Sequence, residues 1–208
     1  MKAKIRSFSG AVLMLAIIPI IAGLLACMPV PIGDPERSRI DPELSGVWAL
    51  TDEGKDGGYY MFRPYDKRTW LVVGLEEAGE PTKPAAVYKA WLAKLGGEKF
   101  MTWEMAGGVD TKGKFTPEFW FVFRVDNDNA DLVKLHMLDS EYEGFKDFPD
   151  PDGYEGNYGK DMRRQYERVI KKNVDDEDLY GDTLVLRRLA GDELAEASRR
   201  FGKVISYE

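Results

Sequence analysis

The chain has 208 residues, with 36 Asp and Glu against 29 Lys and Arg, a formal charge of −7, one His and one Cys. That balance excludes the basic footprint of a nucleic-acid binder, the single Cys excludes an internal disulfide framework and multi-cysteine metal sites, and the single His excludes multi-histidine sites. With 44% hydrophobic and 31% charged residues the chain is too apolar to be disordered and too charged for a polytopic membrane protein.

The first segment reads as an address. Lys2, Lys4 and Arg6 precede an apolar stretch at 11–26 that Pro19 and Gly23 interrupt. It is short of the roughly 20 apolar residues a spanning helix needs, and a small residue, Ala26, ends it. Residues 1–26 are therefore read as a signal peptide, with an uncleaved anchor helix as the alternative. Their removal takes away three cations and no anions, leaving −10 over 182 residues. A domain so charged is expected to be kept off an anionic bilayer surface by its own field. Residues 28–43 carry Pro29, Pro31, Pro35 and Pro42 and read as a semi-rigid tether. The division expected is a signal segment at 1–26, Cys27 and the tether to 43, and one β-rich domain at 44–208.

Leu24-Leu25-Ala26-Cys27 resembles the lipobox of bacterial lipoproteins, with Leu24 as the hydrophobic position and Ala26 before the cut. The resemblance implies that Cys27 is acylated on sulfur and becomes the new N-terminus. Only one Cys exists, and it falls where that pattern requires it. Met28 is not the aspartate of inner-membrane retention, so the resemblance implies a lipid-anchored protein of the outer membrane, facing the periplasm.

From residue 44 onward, short aromatic and β-branched runs alternate with Gly, Pro, Asp and Asn. Strands are expected at 46–51, 59–63, 69–75, 86–95, 99–105, 118–125, 132–138 and 183–189. Turns are expected at Asp56-Gly57-Gly58, Pro64-Tyr65-Asp66-Lys67, Gly96-Gly97-Glu98 and Asp126-Asn127-Asp128-Asn129. Residues 86–95 also contain helix formers, but the Gly96-Gly97 that follows suits a hairpin. In the run at 118–125, Phe119, Phe121, Phe123 and Val125 share one face, while Trp120 and Val122 lie on the other. A strand apolar on both faces is covered on both sides. The expected cover is a helix at 161–174, where Met162, Tyr166, Val169, Ile170 and Val174 recur at helical spacing. A second helix after Asp192 presents Leu194, Ala197 and Phe201, with Gly202 as its stop. The fold class expected is mainly β: an antiparallel barrel or sandwich of about eight strands with one or two covering helices.

Gly46-Val47-Trp48 near the start and Arg187-Arg188 near the end are similar to the lipocalin and wider calycin pattern. That resemblance gives Gly46 and Trp48 the opening of the first strand. It gives Arg187 or Arg188 the packing against Trp48 that closes the barrel. The stretches 88–105 and 173–189 also resemble an uncharacterised bacterial lipoprotein family, which implies no activity.

Chemistry is harder to find. His136 lies on a strand, with Asp139 and Ser140 following but nothing to position them as a catalytic set. Asp150, Asp152 and Glu155 concentrate oxygen ligands beside Gly153, yet without the spacing of a calcium loop. Glu76-Glu77 and the acids from Asp175 to Asp178 read as solvated faces, and no Gly pair has a phosphate-loop setting. No catalytic residue and no cofactor are assigned. The ten Phe, ten Tyr and five Trp either fill a barrel or line a cavity for one small molecule. The function expected is binding, of an apolar small molecule or an envelope protein, at a membrane reached through Cys27. The alternative is a carboxylate- or calcium-dependent hydrolase.

Overall fold

A computed structural model describes residues 27–52, 55–76, 85–105, 120–149 and 154–205. The alternating runs become eight strands: β1 Gly46–Asp52, β2 Lys55–Pro64, β3 Trp70–Glu76, β4 Ala86–Leu95, β5 Glu98–Met105, β6 Trp120–Asn129, β7 Leu132–Leu138 and β8 Tyr180–Arg188. Each pairs antiparallel with the next, and β8 returns to β1, so the sheet closes into an up-and-down barrel of the kind lipocalins have. Two helices accompany it, α1 Tyr158–Lys172 and α2 Gly191–Ile205. No described helix is long and apolar enough to cross a membrane.

Register decides which side chains meet inside. Trp48 faces Tyr60, Phe62 faces Val72, Tyr88 faces Met105, Trp103 faces Phe121 and Phe123 faces Met137. Period-2 alternation then sends Trp91, Thr102, Val122 and Arg124 outward. Inside, Trp103 is the hub, with ring centroids of Phe123 at 4.8 Å, Tyr88 at 5.2 Å, Tyr60 at 5.6 Å and Phe62 at 5.7 Å. The tilted and edge-on geometries are those that aromatic quadrupoles favour. An apolar interior behind an outer wall carrying Arg63, Lys89 and Lys134, all exposed, reverses the pattern of a membrane-spanning barrel.

Helix α1 begins at Asn157, whose side chain accepts from Lys160 N at 3.0 Å, and buries Met162, Tyr166 and Ile170. Helix α2 lies over β1, with Leu194 and Ala197 against Val47, Ala49 and Leu189. It continues to Ile205, so Gly202 is not its stop; with open space around the position, the glycine is tolerated inside the helix.

Three expectations are corrected. Residues 28–43 do not form a free tether. Met28, Val30 and Ile32 are at most 1% exposed and lie against Phe100, Val122, Met162 and Ile170, so this stretch is a strap between barrel wall and α1. The Asp126–Asn129 run is not the hairpin turn. A register shift between Asp126 and Asn129 absorbs it into β6, and the turn falls at Ala130-Asp131, where Asn129 accepts from Asp131 N at 2.9 Å. Asp56-Gly57-Gly58 is likewise taken into β2, which a shift at Leu50/Thr51 allows. By contrast Gly96 and Gly97, at φ 62° and 100°, make the β4–β5 turn, in a conformation that glycine adopts without strain.

Trp48 is 1% exposed and belongs to the interior cluster. Trp48→Ala should cost about 3–5 kcal/mol, read by chemical denaturation.

Candidate functional site

Among the described residues, the two ends of the barrel differ, and one of them is plugged. At the plugged end residues 40–45 cross beneath the strands and are fastened by polar contacts. Trp48 Nε1 donates to Leu44 O at 3.1 Å, and Lys99 Nζ donates to Asp41 Oδ2 at 2.6 Å and to Asn127 Oδ1 at 3.1 Å. Arg188 lies over the Trp48 ring at 4.2 Å and donates to Ser45 O at 2.9 Å, Ala130 O at 3.0 Å and Glu43 O. Stacking and three carbonyl acceptors use both the face and the fork of the guanidinium. Gly46, at φ 142°, sits so close that an added Cβ would be 2.8 Å from Arg188 Nη1. Gly46, Trp48 and Arg188 are thus brought together. Arg187 is not: it faces outward and pairs with Glu193 on α2 at 2.8 Å.

The opposite end is where β1–β2, β3–β4, β5–β6 and β7–β8 connect; residues 53–54, 77–84 and 106–119, which make three of those connections, lie outside the described residues. Burial of the interior falls off toward it. Trp70, Val72, Ala90, Met101 and Leu186 are at most 1% exposed; Leu50, Tyr60, Met105, Phe121, Met137 and Leu184 toward this end, and Ile40 and Leu92 toward the plug, are only partly buried. Among the described residues, the six named toward this end are the apolar side chains of the interior's mouth.

The strap runs from Trp120 on β6 to the plug. Met28 N donates to Trp120 O at 2.8 Å, and Ile32 O accepts from Trp91 Nε1 and from Thr102 Oγ1, each at 2.8 Å. Gly33 then bonds to α1 through Glu167 Oε1 at 3.0 Å and Arg163 Nη1 at 3.2 Å, and Ser38 Oγ accepts from Leu92 N at 2.9 Å. At Gly33, φ is 77° and an added Cβ would come within 2.5 Å of the Ala93 Cβ, so only glycine passes. Cys27, half-buried, adjoins this bonded start, and burial pushes its thiol up. An unmodified sulfur held protonated is a poor nucleophile.

The other candidates are scattered. His136 Nδ1 lies 2.9 Å from Thr183 Oγ1 on the outer wall, its imidazole held below the usual range by burial and by the Arg124 charge. Asp139 accepts from Glu141 N at 2.8 Å, a turn contact. Asp176 accepts from Asp178 N at 3.1 Å and from the Tyr142 hydroxyl at 2.7 Å, so it serves structure. Residues 1–26, Glu77, Asp150 and Asp152 lie outside the described residues, and Glu155 is exposed. Among the described residues, no three His, Cys, Asp or Glu side chains group as a metal site.

No family model, curated protein or solved structure matches this chain. The strap's anchoring residues, Trp91, Thr102 and Glu167, escape sequence reading because their partners are backbone atoms distant in the chain. The one available signal is the period-2 spacing of Met28, Val30 and Ile32 between prolines.

Arg188→Met should cost roughly 2–3 kcal/mol, from the lost stack and carbonyl bonds. Arg187→Ala, which removes only an exposed ion pair, should cost about 0.5 kcal/mol or less; equal losses would refute the assignment. The Tyr142 hydroxyl, pushed up to about 12 by its bond to Asp176 and by burial, gives a pH signature. Its folded value exceeds its ordinary value near 10, so its contribution is intact below pH ~10 and lost as pH rises toward ~12. Tyr142→Phe should flatten the melting temperature across that interval.

Proposed function

We propose that this protein is a lipid-anchored module of the bacterial cell envelope, held through acylated Cys27, that works by binding rather than by catalysis. The observation that carries the reading is the gradient of burial inside the barrel. The plugged two-thirds is filled by Trp48, Phe62, Trp70, Trp103 and Phe123 at 4% exposure or less. Tyr60, Met105, Phe121, Met137 and Leu184 at the mouth are half-buried.

A filled eight-stranded barrel has no room for a deep-seated ligand, so binding belongs to the mouth. Its chemistry there is apolar with one phenol, which suits an acyl or aromatic group of a small amphiphile. The sequence resemblance at 24–27 supports the anchor, and Met28 in place of aspartate supports an outer-membrane position facing the periplasm. Membership of the calycins is part of the same proposal, supported by strand count, connectivity and the Trp48–Arg188 stack.

Cys27→Ser should move the protein from the membrane fraction to the soluble fraction; persistence in the membrane would instead make residues 11–26 an uncleaved anchor. Native mass spectrometry of the released protein, followed by organic extraction, should show one small apolar molecule per chain. A clean unliganded mass would overturn the mouth as a ligand site and leave an envelope protein as the partner.

A further inference from the structure

We propose that the outer face of α1 docks on the anionic phospholipid surface that carries the anchor. The proposal rests on acylation of Cys27, the reading given above, and adds to it a docking face and the charge of its partner. Helix α1 holds six cations and two acids, in a chain whose formal charge is −7. At 3.6 residues per turn, Lys160, Arg164, Arg168 and Lys171 fall within about 80° of one another, along about 16 Å of helix. All four are exposed, while Met162, Tyr166 and Ile170 on the opposite side are buried. Among the described residues none of the four makes an ion pair, not even with the exposed acids at 175–178 that follow the helix. On α2, by contrast, Arg199 and Arg200 both pair with Glu196. The two acids of α1 have other work. Glu167 turns to the strap, where it accepts from Gly33 N at 3.0 Å, and Asp161 lies in the first turn, where a carboxylate offsets the positive end of the helix dipole.

A lipid surface is the partner because the anchor puts one beside this helix. Gly33 is fixed to the middle of α1 through Glu167 and Arg163. Cys27 stands six residues before Gly33, at most about 22 Å of extended chain. Met28 is bonded to Trp120, so that short length carries no slack. The lipid held at Cys27 therefore stays within reach of the helix, and a contact too weak to recruit a free protein suffices. Each Lys or Arg close to an anionic surface favours the contact about fivefold. Acyl chains that anchor and a basic patch that orients are the two signals of stable membrane attachment. The acidic balance of the chain selects the same face, since repulsion turns the rest of the surface away and leaves the basic stripe toward lipid.

Helix α2 supplies the reference. It lies over β1, whereas α1 packs with Phe100 of β5, and β1 and β5 stand opposite each other in a closed barrel of this strand order. Acylated Cys27 has no thiol to label, so an introduced cysteine is the only reactive one. Asp161→Cys marks α1 and Ser198→Cys marks α2, both at exposed positions. Each full-length, acylated variant is labelled with a fluorophore and placed in vesicles carrying a headgroup quencher, made of phosphatidylcholine alone or of phosphatidylcholine with phosphatidylglycerol. With phosphatidylglycerol present, the α1 label should be quenched several-fold more than the α2 label. That contrast should vanish in phosphatidylcholine alone, in roughly 0.5 M salt, and in the variant that combines Lys160→Gln, Arg164→Gln, Arg168→Gln and Lys171→Gln. The salt arm leaves the stripe intact, so it reads the contact even where the fourfold variant folds poorly. Equal or reversed quenching with phosphatidylglycerol, in protein whose N-terminal peptide carries the acyl mass, overturns lipid docking and leaves an acidic protein as the partner of the stripe. A contrast that survives salt or the loss of phosphatidylglycerol overturns it as well, since orientation would then owe nothing to charge. Absence of the acyl mass overturns the anchor reading itself.

Discussion

The pairing of the last strand with the first is the constraint on which the rest depends. Among the described residues it is the shortest ladder of the barrel, three pairs from Trp48–Arg188 to Leu50–Leu186, where β4 and β5 share eight. Loss of that seam would leave an open sheet with two bare edges. Arg188 reinforces the seam by means other than the ladder, stacking on Trp48 and gathering carbonyls from the plug and from the β6–β7 turn. Near its other end Thr51 Oγ1 donates to Val185 O at 3.1 Å. With the seam held, the two inward-facing sets of side chains are forced to share one volume, and four aromatic rings pack around Trp103 to fill it.

A filled barrel still has an outer wall that is apolar along β4, β5 and β6, and the strap answers that problem. Pro29 and Pro31 have no N–H to extend a ladder, so the strap cannot become a ninth strand. They hold the backbone extended, and Met28, Val30 and Ile32 point inward from it. The carbonyl of Ile32 satisfies two buried donors at once, Trp91 Nε1 and Thr102 Oγ1; without it both would be stranded, at about 1–3 kcal/mol each. Helix α1 then covers the strap. The order of layers is barrel, strap, helix, and removing the middle layer would expose the other two.

The eight strands were legible because each is a local event: period-2 alternation bounded by turn residues. The 86–95 segment shows this best, since a Gly-Gly pair outweighs its helix formers and its observed bounds match those expected. Legibility failed where a distant partner decided the outcome. Asp126–Asn129 has turn composition, but the pairing of Asp126 with Lys134 and Asn129 with Leu132 draws it into the ladder with a bulge. Residues 28–43 have linker composition, but the apolar wall and α1 supply a slot their alternation fits. The choice between Arg187 and Arg188 needed the register, since adjacent residues on a strand face opposite ways. The mouth was not legible at all, because half-burial is a property of depth in the barrel and not of residue type.

The acidic charge expected to hold the domain away from lipid must be weighed against the strap. Charges act through about 8 Å at physiological ionic strength. Acids at the plug, such as Asp131 and Glu43, are exposed, and the 10 residues of β6 at ~3.3 Å each separate the plug from Trp120 and the adjoining Met28 by more than that length. Charges at the plug are therefore screened from the Cys27 end of the strap. The covalent geometry from Cys27 to Met28 leaves no slack through which such a force could move the domain. Had residues 28–43 been a free spacer, net charge would help set how far Cys27 stands from the barrel; with the strap bonded to β6, β4, β5 and α1, the fold sets it.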